Sequence, residues 1–389
     1  MLLDIQNKTS KGWRKVKLRE WLNFKYGFGL PKKKRQKGDV AVYGSSGVVG
    51  WHNEAKVKNS GIIIGRKGNV GAVYFSEKSF YPIDTVYFVD SLKKKGVLKF
   101  FYYLLKTINF QKVDINVGVP GLSRETALDL EVLIPENSEE QRRIADILSA
   151  FDEKIELNNK INQILEEMAQ AIFKRWFIDF KFPSHEKVKM IDSKIGKIPL
   201  ELEIMNINGV LTVVKGFEPG SSNYSDIYKK GCVQFYRVRD LKNGGSADVY
   251  IDAKLASDRL CKPNDVLISL DGTVGKVAIG CNGAYSSGIY KISSNPQYDY
   301  IKNSFIYFFL KSFYVQNILE RYKRGTTISH ASYALDEIWI PTNENLVKSF
   351  QKISEPIFEI VLKNIFENQK LSTLRDLLLP KLMSGEIRV

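Results

Sequence analysis

The sequence has little of what catalytic and metal chemistry usually draws on. Its 389 residues hold only three cysteines and three histidines. Cys232, Cys261 and Cys281 lie far apart with no Cys-x-x-Cys pair, which excludes a disulfide framework or zinc site and fits buried thiols in a reducing cytosol. His52, His185 and His330 are too scattered to suggest a triad or a metal cluster. No stretch of 18 apolar residues exists, so nothing is expected to span a membrane. The N-terminal MLLDIQNKTSKGWRK lacks the apolar region of a signal peptide, and a cytoplasmic location is expected. The phosphate cradle of an ATPase is missing, since Gly272-Thr273-Val274-Gly275-Lys276 is too short for it. There is no Asn-Pro-Pro-Tyr or Asp-Pro-Pro-Tyr tetrapeptide and no glycine-rich cofactor loop of an adenine methyltransferase. Pro135-Glu136 with Asp152-Glu153-Lys154 echoes a nuclease pattern, but its Asp-x-Lys part falls in a helical seam where no active-site strand exists. No cofactor or metal is expected on this chain.

What the sequence has is positive charge. Hydrophobic residues make up 44% and charged residues 26%, the balance of an ordinary globular chain with sizeable cores. The net charge of +15 suits a polyanionic partner. Residues 1–135 carry +13, 136–182 carry −3, 183–341 carry +4 and 342–389 carry +1. This alternation is a first sign of duplication.

A shift of 206 residues brings the two halves into correspondence. Ile134-Pro135 meets Ile340-Pro341, and each is followed by a short polar stretch and a long helical pattern. Ile62–Ile64 followed by Gly68-Asn69-Val70-Gly71 parallels Val266–Ile268 followed by Gly272-Thr273-Val274-Gly275, at an offset of 204. The segments VYFVD at 86–90, AVYF at 72–75 and VQFYRVRDL at 233–241 read as strands. KFFYYLLKTI at 99–108 and SFIYFFLKSFYVQNIL at 304–319 read as helices. Four parts are expected: globular domains at 1–135 and 183–341, and helical spacers at 136–182 and 342–389.

In the first spacer, Ile144, Leu148, Phe151, Ile155, Asn158, Asn162, Leu165, Ala169, Ile172 and Trp176 alternate steps of four and three, a heptad seam. Adding 206 gives Phe350, Ser354, Ile357, Val361, Asn364, Asn368, Leu371, Arg375, Leu378 and Leu382. If the helices pair antiparallel about a pseudo-two-fold axis, Asn158 faces Asn368 and Asn162 faces Asn364; the alternative is that the asparagines sit at the wet edge of the seam. Ile161, Ile164, Met168, Phe173 and Phe177 lie beside the seam, as apolar docking area unless the globular domains cover them.

At this point the residues resemble a known family, the specificity subunits of type I restriction–modification enzymes. The ending LRDLLLPKLMSGEIRV at 374–389 resembles the family's usual ending. IPENSEEQRRIADILSAFDEKIELN at 134–158, with Glu140-Gln141, is similar to its first conserved region. AQAIFKRWFIDF at 169–180 and MIDSKIGKIP at 190–199 look like the junction into a second recognition domain. YGSSGVVGWHNE at 43–54, GIIIGRKGNVGAVYF at 61–75, YPIDTVYFV at 81–89 and GVPGLSR at 118–124 resemble one version of the recognition domain. Two departures stand out: Leu200-Glu201-Leu202 follows Ile198-Pro199 where the family has Gly-Trp, and TNENLVKSF after Ile340-Pro341 lacks the Glu-Gln pair.

The resemblance implies an α/β (α+β) fold of two target-recognition domains separated by two long antiparallel helices in a coiled-coil pair. It implies a non-catalytic subunit that reads a bipartite double-stranded DNA target. Two modification subunits that methylate adenine with S-adenosylmethionine, and restriction subunits that use ATP and Mg, are the implied partners. Phosphate contact is expected from Lys32, Lys33, Lys34, Arg35 and Lys37, beside Gly27 and Gly29 in a flexible loop, and from Arg66 and Lys67; a merely solvated loop is the alternative for the lysines. Base reading is expected from Ser45, Ser46, His52, Asn53, Asn69, Ser123 and Arg124 in the first domain. In the second, the candidates are Arg237, Arg239, Thr273, Thr326, Thr327, Ser329 and His330. Trp51 fits core and contact equally, and His185 fits a linker. A stand-alone DNA-binding regulator of the same fold is the alternative function.

Overall fold

The computed structural model describes residues 12–113, 121–193, 196–200, 202–322 and 331–389. The chain divides into two compact units, one of residues 1–154 and 371–389, the other of residues 155–370. Each unit thus takes one end of both long helices instead of leaving them as separate spacers. The reason is packing: Ile144, Ala145, Leu148 and Leu382 complete the core of the first unit, and Ala169, Phe173, Val361 and Ile365 that of the second.

The first unit runs through strands β1 (Trp13–Lys17), β2 (Lys25–Tyr26), β3 (Val40–Gly44), β4 (Gly47–His52), β5 (Gly61–Gly65), β6 (Val73–Ser76), β7 (Phe80–Pro82) and β8 (Val86–Val89). Helices α1 (Leu98–Lys106) and α2 (Arg124–Leu128) follow, and β9 (Glu131–Pro135) closes back on β1. The main sheet has the order β2-β8-β5-β6, all antiparallel, and a second sheet has β3 between antiparallel β4 and parallel β7. Gly61–Gly65 reads GIIIG and is buried throughout, as a strand covered on both faces requires. Helix α1 supplies one cover through Phe100, Phe101, Tyr103, Leu104 and Leu105. Next comes α3 (Ser138–Phe173), whose first part belongs to this unit and whose remainder belongs to the second.

In the second unit, a hairpin of β10 (Met190–Ser193) and β11 (Gly196–Pro199) leads to β12 (Ile204–Asn206), α4 (Ile207–Val210), β13 (Leu211–Lys215), β14 (Cys232–Tyr236), β15 (Tyr250–Asp252) and α5 (Ala253–Ala256). There follow β16 (Leu260–Cys261), β17 (Val266–Ser269), β18 (Val277–Ala278), β19 (Gly283–Tyr285) and β20 (Ile289–Ser294), then α6 (Asn303–Lys311), α7 (Phe313–Tyr322), β21 (Trp339–Pro341) and α8 (Glu344–Met383). The topology repeats the first unit. The main sheet runs β13-β20-β17-β18, β14 lies between antiparallel β15 and parallel β19, and β12 pairs with β21 as β1 does with β9.

Two elements differ from the sequence reading. The helix expected at 304–319 is two helices, because Ser312 adopts an extended conformation and its hydroxyl accepts from Val315 N at 3.4 Å, capping α7. The strand expected at 233–241 stops at Tyr236. There the Asp240 carboxylate accepts from the Arg237 backbone N–H at 3.0 Å and turns Val238–Asp240 into a 3-10 turn.

The expectation of a flexible loop at Gly27 is also corrected. Gly27 donates its N–H to Val86 O at 3.1 Å, and a Cβ there would sit 1.9 Å from Ile83 O. Its counterpart Gly216 donates to Ile289 O at 2.9 Å and leaves 2.2 Å to Ser286 O. These are backbone atoms that cannot swing away. Gly27→Ala and Gly216→Ala are each expected to cost about 3 kcal/mol, read as a lowered midpoint in denaturant; an unchanged midpoint would refute the close approach.

The asparagines of the seam meet within the second unit. Asn158 Nδ2 donates to Asn368 Oδ1 at 2.9 Å and to Glu367 Oε2 at 2.8 Å, and Asn364 Nδ2 donates to Asn162 Oδ1 at 2.8 Å. These are the pairs that an antiparallel register requires. Asn158 is fully buried and Asn162 nearly so, which removes the wet-edge alternative for both. Around them Ile357 and Val361 are buried and Leu165 packs on the same core. In the first unit Leu148 is buried with Leu378 packed against the cluster, while Phe151 and Leu371 are half-buried, as is Ile155 at the edge of the second unit. Asp152, part of the nuclease-like echo, is engaged by Arg375 Nη1 at 2.5 Å and by the Tyr103 hydroxyl at 2.7 Å.

The Glu140-Gln141 pair works inside the first unit. Glu140 is buried, accepting from Trp13 Nε1 at 3.1 Å and from the Arg388 guanidinium at 3.1–3.2 Å. Gln141 Oε1 accepts from Val97 N, the N-cap of α1, at 3.2 Å. The second repeat lacks the pair but keeps the clamp: Gln351 Oε1 accepts from Lys302 N, the N-cap of α6, at 2.6 Å. The offset from Gln141 is 210, whereas adding 206 leads to the buried Val347.

Among the described residues no helix is long and apolar enough to cross a membrane, and no group of His, Cys, Asp and Glu could hold a metal ion. Cys261 and Cys281 are buried, which pushes both thiols up to about 12; Cys232 is half-buried.

Candidate nucleic-acid interface

In the first unit, β5 ends at Gly65 and delivers Arg66 and Lys67, whose backbone N–H groups both donate to Thr85 O at 2.9 and 3.1 Å. Leu122 N donates to Arg66 O at 2.9 Å, which brings Ser123 and Arg124 alongside. The Arg66 guanidinium lies 5.2 Å from the ring centre of Tyr26 and 5.8 Å from that of Tyr87. The Arg124 guanidinium lies 5.4 Å from the Tyr26 ring. Tyr26 is half exposed and packs edge-on to Tyr87 at 5.1 Å. Burial and then the neighbouring Tyr26 push Tyr87 up to about 12, with Arg66 and Arg124 pulling the other way. Its hydroxyl therefore stays protonated and donates to Leu122 O at 2.9 Å. The outcome is an exposed ring beside two half-buried guanidiniums, cations held by a π face. Arg124 also pairs with Glu125 at 2.9 Å, whereas Arg66 makes no ion pair among the described residues.

The lysine loop is a separate basic feature. Lys32–Lys34 form a 3-10 turn, and Lys32, Lys33, Lys34 and Lys37 are exposed with no ion pair among the described residues. Arg35 departs from the phosphate-contact expectation, because its Nη1 donates to Val49 O at 2.7 Å and its Nε is buried. His52 is a correction as well. It is buried against Tyr81, and its Nδ1 accepts from Gln36 N at 3.0 Å, so it braces the loop instead of facing a base. Asn53 is exposed and donates to Gln36 Oε1 at 2.8 Å. Trp51 is 57% exposed on the same hairpin, which removes its core alternative.

Ser45 and Ser46 form the β3–β4 turn, and Ser45 Oγ lies 3.2 Å from where a Cβ on Gly68 would stand. Asn69 is exposed in that neighbouring loop, while Ser123 is spent as the cap of α2, accepting from Thr126 N at 3.3 Å. Lys67 is exposed beside it.

The loop after β17 repeats the one after β5. Gly65 N donates to Ala72 O and Gly71 N to Gly65 O; Ser269 N donates to Lys276 O and Gly275 N to Ser269 O, all at 2.8–2.9 Å. Gly68, Gly71, Gly272 and Gly275 all have φ between 70° and 88°, a region open to glycine at little cost. Thr273 is exposed at the tip. The cation differs, however: the strand register sets Lys215 against Tyr290 as it sets Tyr26 against Tyr87, and the Lys215 ammonium lies 5.7 Å from the Tyr290 ring.

Arg237 is a correction among the reading candidates. Its Nε donates to Asp240 at 3.0 Å, its Nη2 pairs with Asp248, and it is largely buried. Arg239 is 64% exposed with only long contacts to Asp240 and Asp248, and remains available. Thr326, Thr327, Ser329 and His330 lie outside the described residues. His185 sits in a 3-10 turn with its ring nitrogen 2.9 Å from Phe182 O.

The helices carry a second feature. Leu157, Ile161, Ile164 and Met168, spaced four, three and four, are exposed on α3 beside the asparagine seam. Phe173 and Phe177, expected on the same stripe, are instead buried in the core of the second unit with Phe305 and Phe350.

Sequence reasoning missed Tyr26 and Lys215. The available signal was the Gly-Phe that follows each, Gly27-Phe28 and Gly216-Phe217, at an offset of 189 that the 206-residue shift conceals.

The same α/β body is built twice, with a matching glycine loop at the same strand end in each. The family model described as the type I restriction modification DNA specificity domain matches residues 10–167 and again residues 199–374. The chain belongs to that family. It is 30% identical over 320 residues to the type I restriction enzyme MjaIX specificity subunit of Methanocaldococcus jannaschii, covering 78% of this chain and 72% of that one. It is 27% identical over 380 residues to the HindI specificity subunit of Haemophilus influenzae, covering 79% and 81%. The solved type I restriction–modification system S subunit from M. genitalium shares the fold with a TM-score of 0.58 at 18% identity, covering 97% of this chain and 98% of that one.

Proposed function

We propose that the chain is a non-catalytic specificity subunit that reads a bipartite double-stranded DNA target, one half-site with each α/β domain, and docks two modification subunits. The observation that carries this reading is the duplicated domain with basic groups on its loops: half-exposed Arg66 and the exposed Lys32, Lys33, Lys34 and Lys37 in one, none of them ion-paired among the described residues, and in the other the exposed Arg239, with only long contacts to Asp240 and Asp248. Such groups neutralise phosphates and give salt-dependent affinity, while neighbouring short polar side chains read base edges. The exposed stripe Leu157, Ile161, Ile164 and Met168 supports docking of partner helices, since adjacent apolar side chains at helical spacing favour being covered. S-adenosylmethionine, ATP and Mg would belong to the modification and restriction partners. A cytoplasmic setting follows from the substrate.

Methylome sequencing of a host carrying this chain with its modification subunit is expected to show a motif of two short defined halves around an undefined gap. One uninterrupted motif, or none, would overturn the reading. The gap itself is expected to follow the helices. Inserting four residues into both, between Asn158 and Asn162 and between Asn364 and Asn368, keeps both asparagine pairs and adds about 6 Å of rod. The gap should grow by one or two base pairs; an unchanged gap would show that helix length does not set it.

A further inference from the structure

The link between β13 and β14 is the second domain's counterpart of the lysine loop, since each follows a Gly-Phe pair, passes through a 3-10 turn (Lys32–Lys34, Ser221–Asn223) and enters the strand that pairs in parallel (β3, β14). Its far end carries Ile227 and Tyr228, 72% and 62% exposed, followed by the exposed Lys229 and Lys230. Neither lysine makes an ion pair among the described residues, and Asp226 is the single acid between residues 225 and 230.

This tip is tied down. Ser225 N donates to Tyr250 O at 3.0 Å and Tyr250 N to Ser225 O at 2.8 Å, while Ser225 Oγ donates to Ile227 O at 2.7 Å. Tyr228 packs edge-on to Tyr250 at 5.6 Å, and Cys232 N donates to Lys229 O at 2.9 Å. A large aliphatic side chain and an aromatic ring side by side on a fixed projection, next to two unpaired ammonium groups, match a surface that is both apolar and anionic. A DNA groove is such a surface: base edges and thymine methyls on its floor, phosphates along its walls.

We infer that residues 225–230 form a groove-reading finger of the second domain, with Ile227 and Tyr228 against base edges and Lys229 and Lys230 on phosphates. The inference rests on the reading that this domain binds DNA. It also makes the two domains unlike: the equivalent loop of the first carries lysines without an apolar tip, so it contributes charge, whereas the finger contributes shape.

The test uses the chain assembled with its modification subunits and two duplexes, the methylome-derived target and the same duplex with the second domain's half-site scrambled. Ile227→Ala/Tyr228→Ala is expected to weaken target binding by about 10- to 100-fold and leave the scrambled duplex unchanged. Lys229→Gln/Lys230→Gln should weaken both duplexes alike and lower the slope of log affinity against log salt by about 2, near 0.9 for each phosphate contact. Target binding unchanged by the Ile227→Ala/Tyr228→Ala variant would overturn the finger, as would failure of that variant to assemble, which would mark a face for protein. If the unmodified complex binds neither duplex, it is the DNA-recognition reading itself that falls.

Discussion

Replacing Arg66 and Arg124 together with alanine is expected to weaken target binding by about 10²- to 10⁴-fold, each guanidinium contributing about 1–3 kcal/mol of recognition. Both cations are held over one half-exposed ring, Tyr26, so their forks are oriented before DNA arrives. Lysine at these positions should restore little, because an ammonium keeps the charge but loses the planar, stacking fork. Tyr26→Phe should leave binding near normal, and Tyr26→Ala should fall between, since the ring positions and the hydroxyl does not. The loss should fall on one half-site only, so a methylome of the double variant would keep one half of the motif and blur the other. Equal blurring of both halves, or affinity within twofold of the original, would remove this cluster from the interface.

The second large effect lies in the stability of the second unit. Glu166 on α3 accepts from the Tyr307 hydroxyl at 2.6 Å and from Asn243 Nδ2 at 3.0 Å, and it pairs with Lys311. Tyr307 is fully buried, and burial followed by the Glu166 charge holds its hydroxyl far above the usual tyrosine range, a donor at every working pH. Glu166→Ala leaves the buried Tyr307 hydroxyl proton without its acceptor and the Lys311 ammonium without its counter-charge, with only the Tyr307 oxygen left to accept from Lys311 Nζ and Asn243 Nδ2. Breaking a buried pair from one side costs about 3–5 kcal/mol, or roughly 10 °C in the midpoint of a unit this size. Glu166→Gln keeps the acceptor and loses the charge, and should cost less. A full-length chain whose calorimetric transition does not move on Glu166→Ala would show that this cluster contributes nothing to holding α3 on its domain.

Periodicity and duplication made the architecture legible, because both are written along the chain. The step pattern through Asn158 and Asn162 and its echo at Asn364 and Asn368 named the partners an antiparallel pairing would join, and the hydrogen bonds join those residues. The Gly-x-Val-Gly loops were visible for the same reason. What stayed hidden depends on partners distant in sequence. Arg237 and Arg239 share the partners Asp240 and Asp248, and only the folded turn decides that Arg237 is held at 3.0 Å while Arg239 keeps contacts of 3.4 Å and stays exposed. His52 and Arg35 sit in a segment that reads as a polar loop, yet the loop folds back and uses them as braces. Phe173 and Phe177 follow the exposed stripe after a step of five, and the packing of Phe305 and Phe350 against them makes them interior. Tyr26 was invisible because a two-residue strand has no pattern to read.

The paired glutamines have a consequence for how such chains change over generations. Gln141 and Gln351 satisfy the same helix cap in the two repeats from positions that differ by four once the repeats are superposed by sequence. Four residues are close to a full revolution, so the amide returns to nearly the same azimuth and only its height along the axis changes. Insertions or deletions in quartets would therefore be tolerated by these rods, while a loss of one or two residues would swing the clamp a quarter to a half of the way round and release the cap. A comparison of descendants that slides residues one at a time would score the second glutamine as lost when it has only climbed a step.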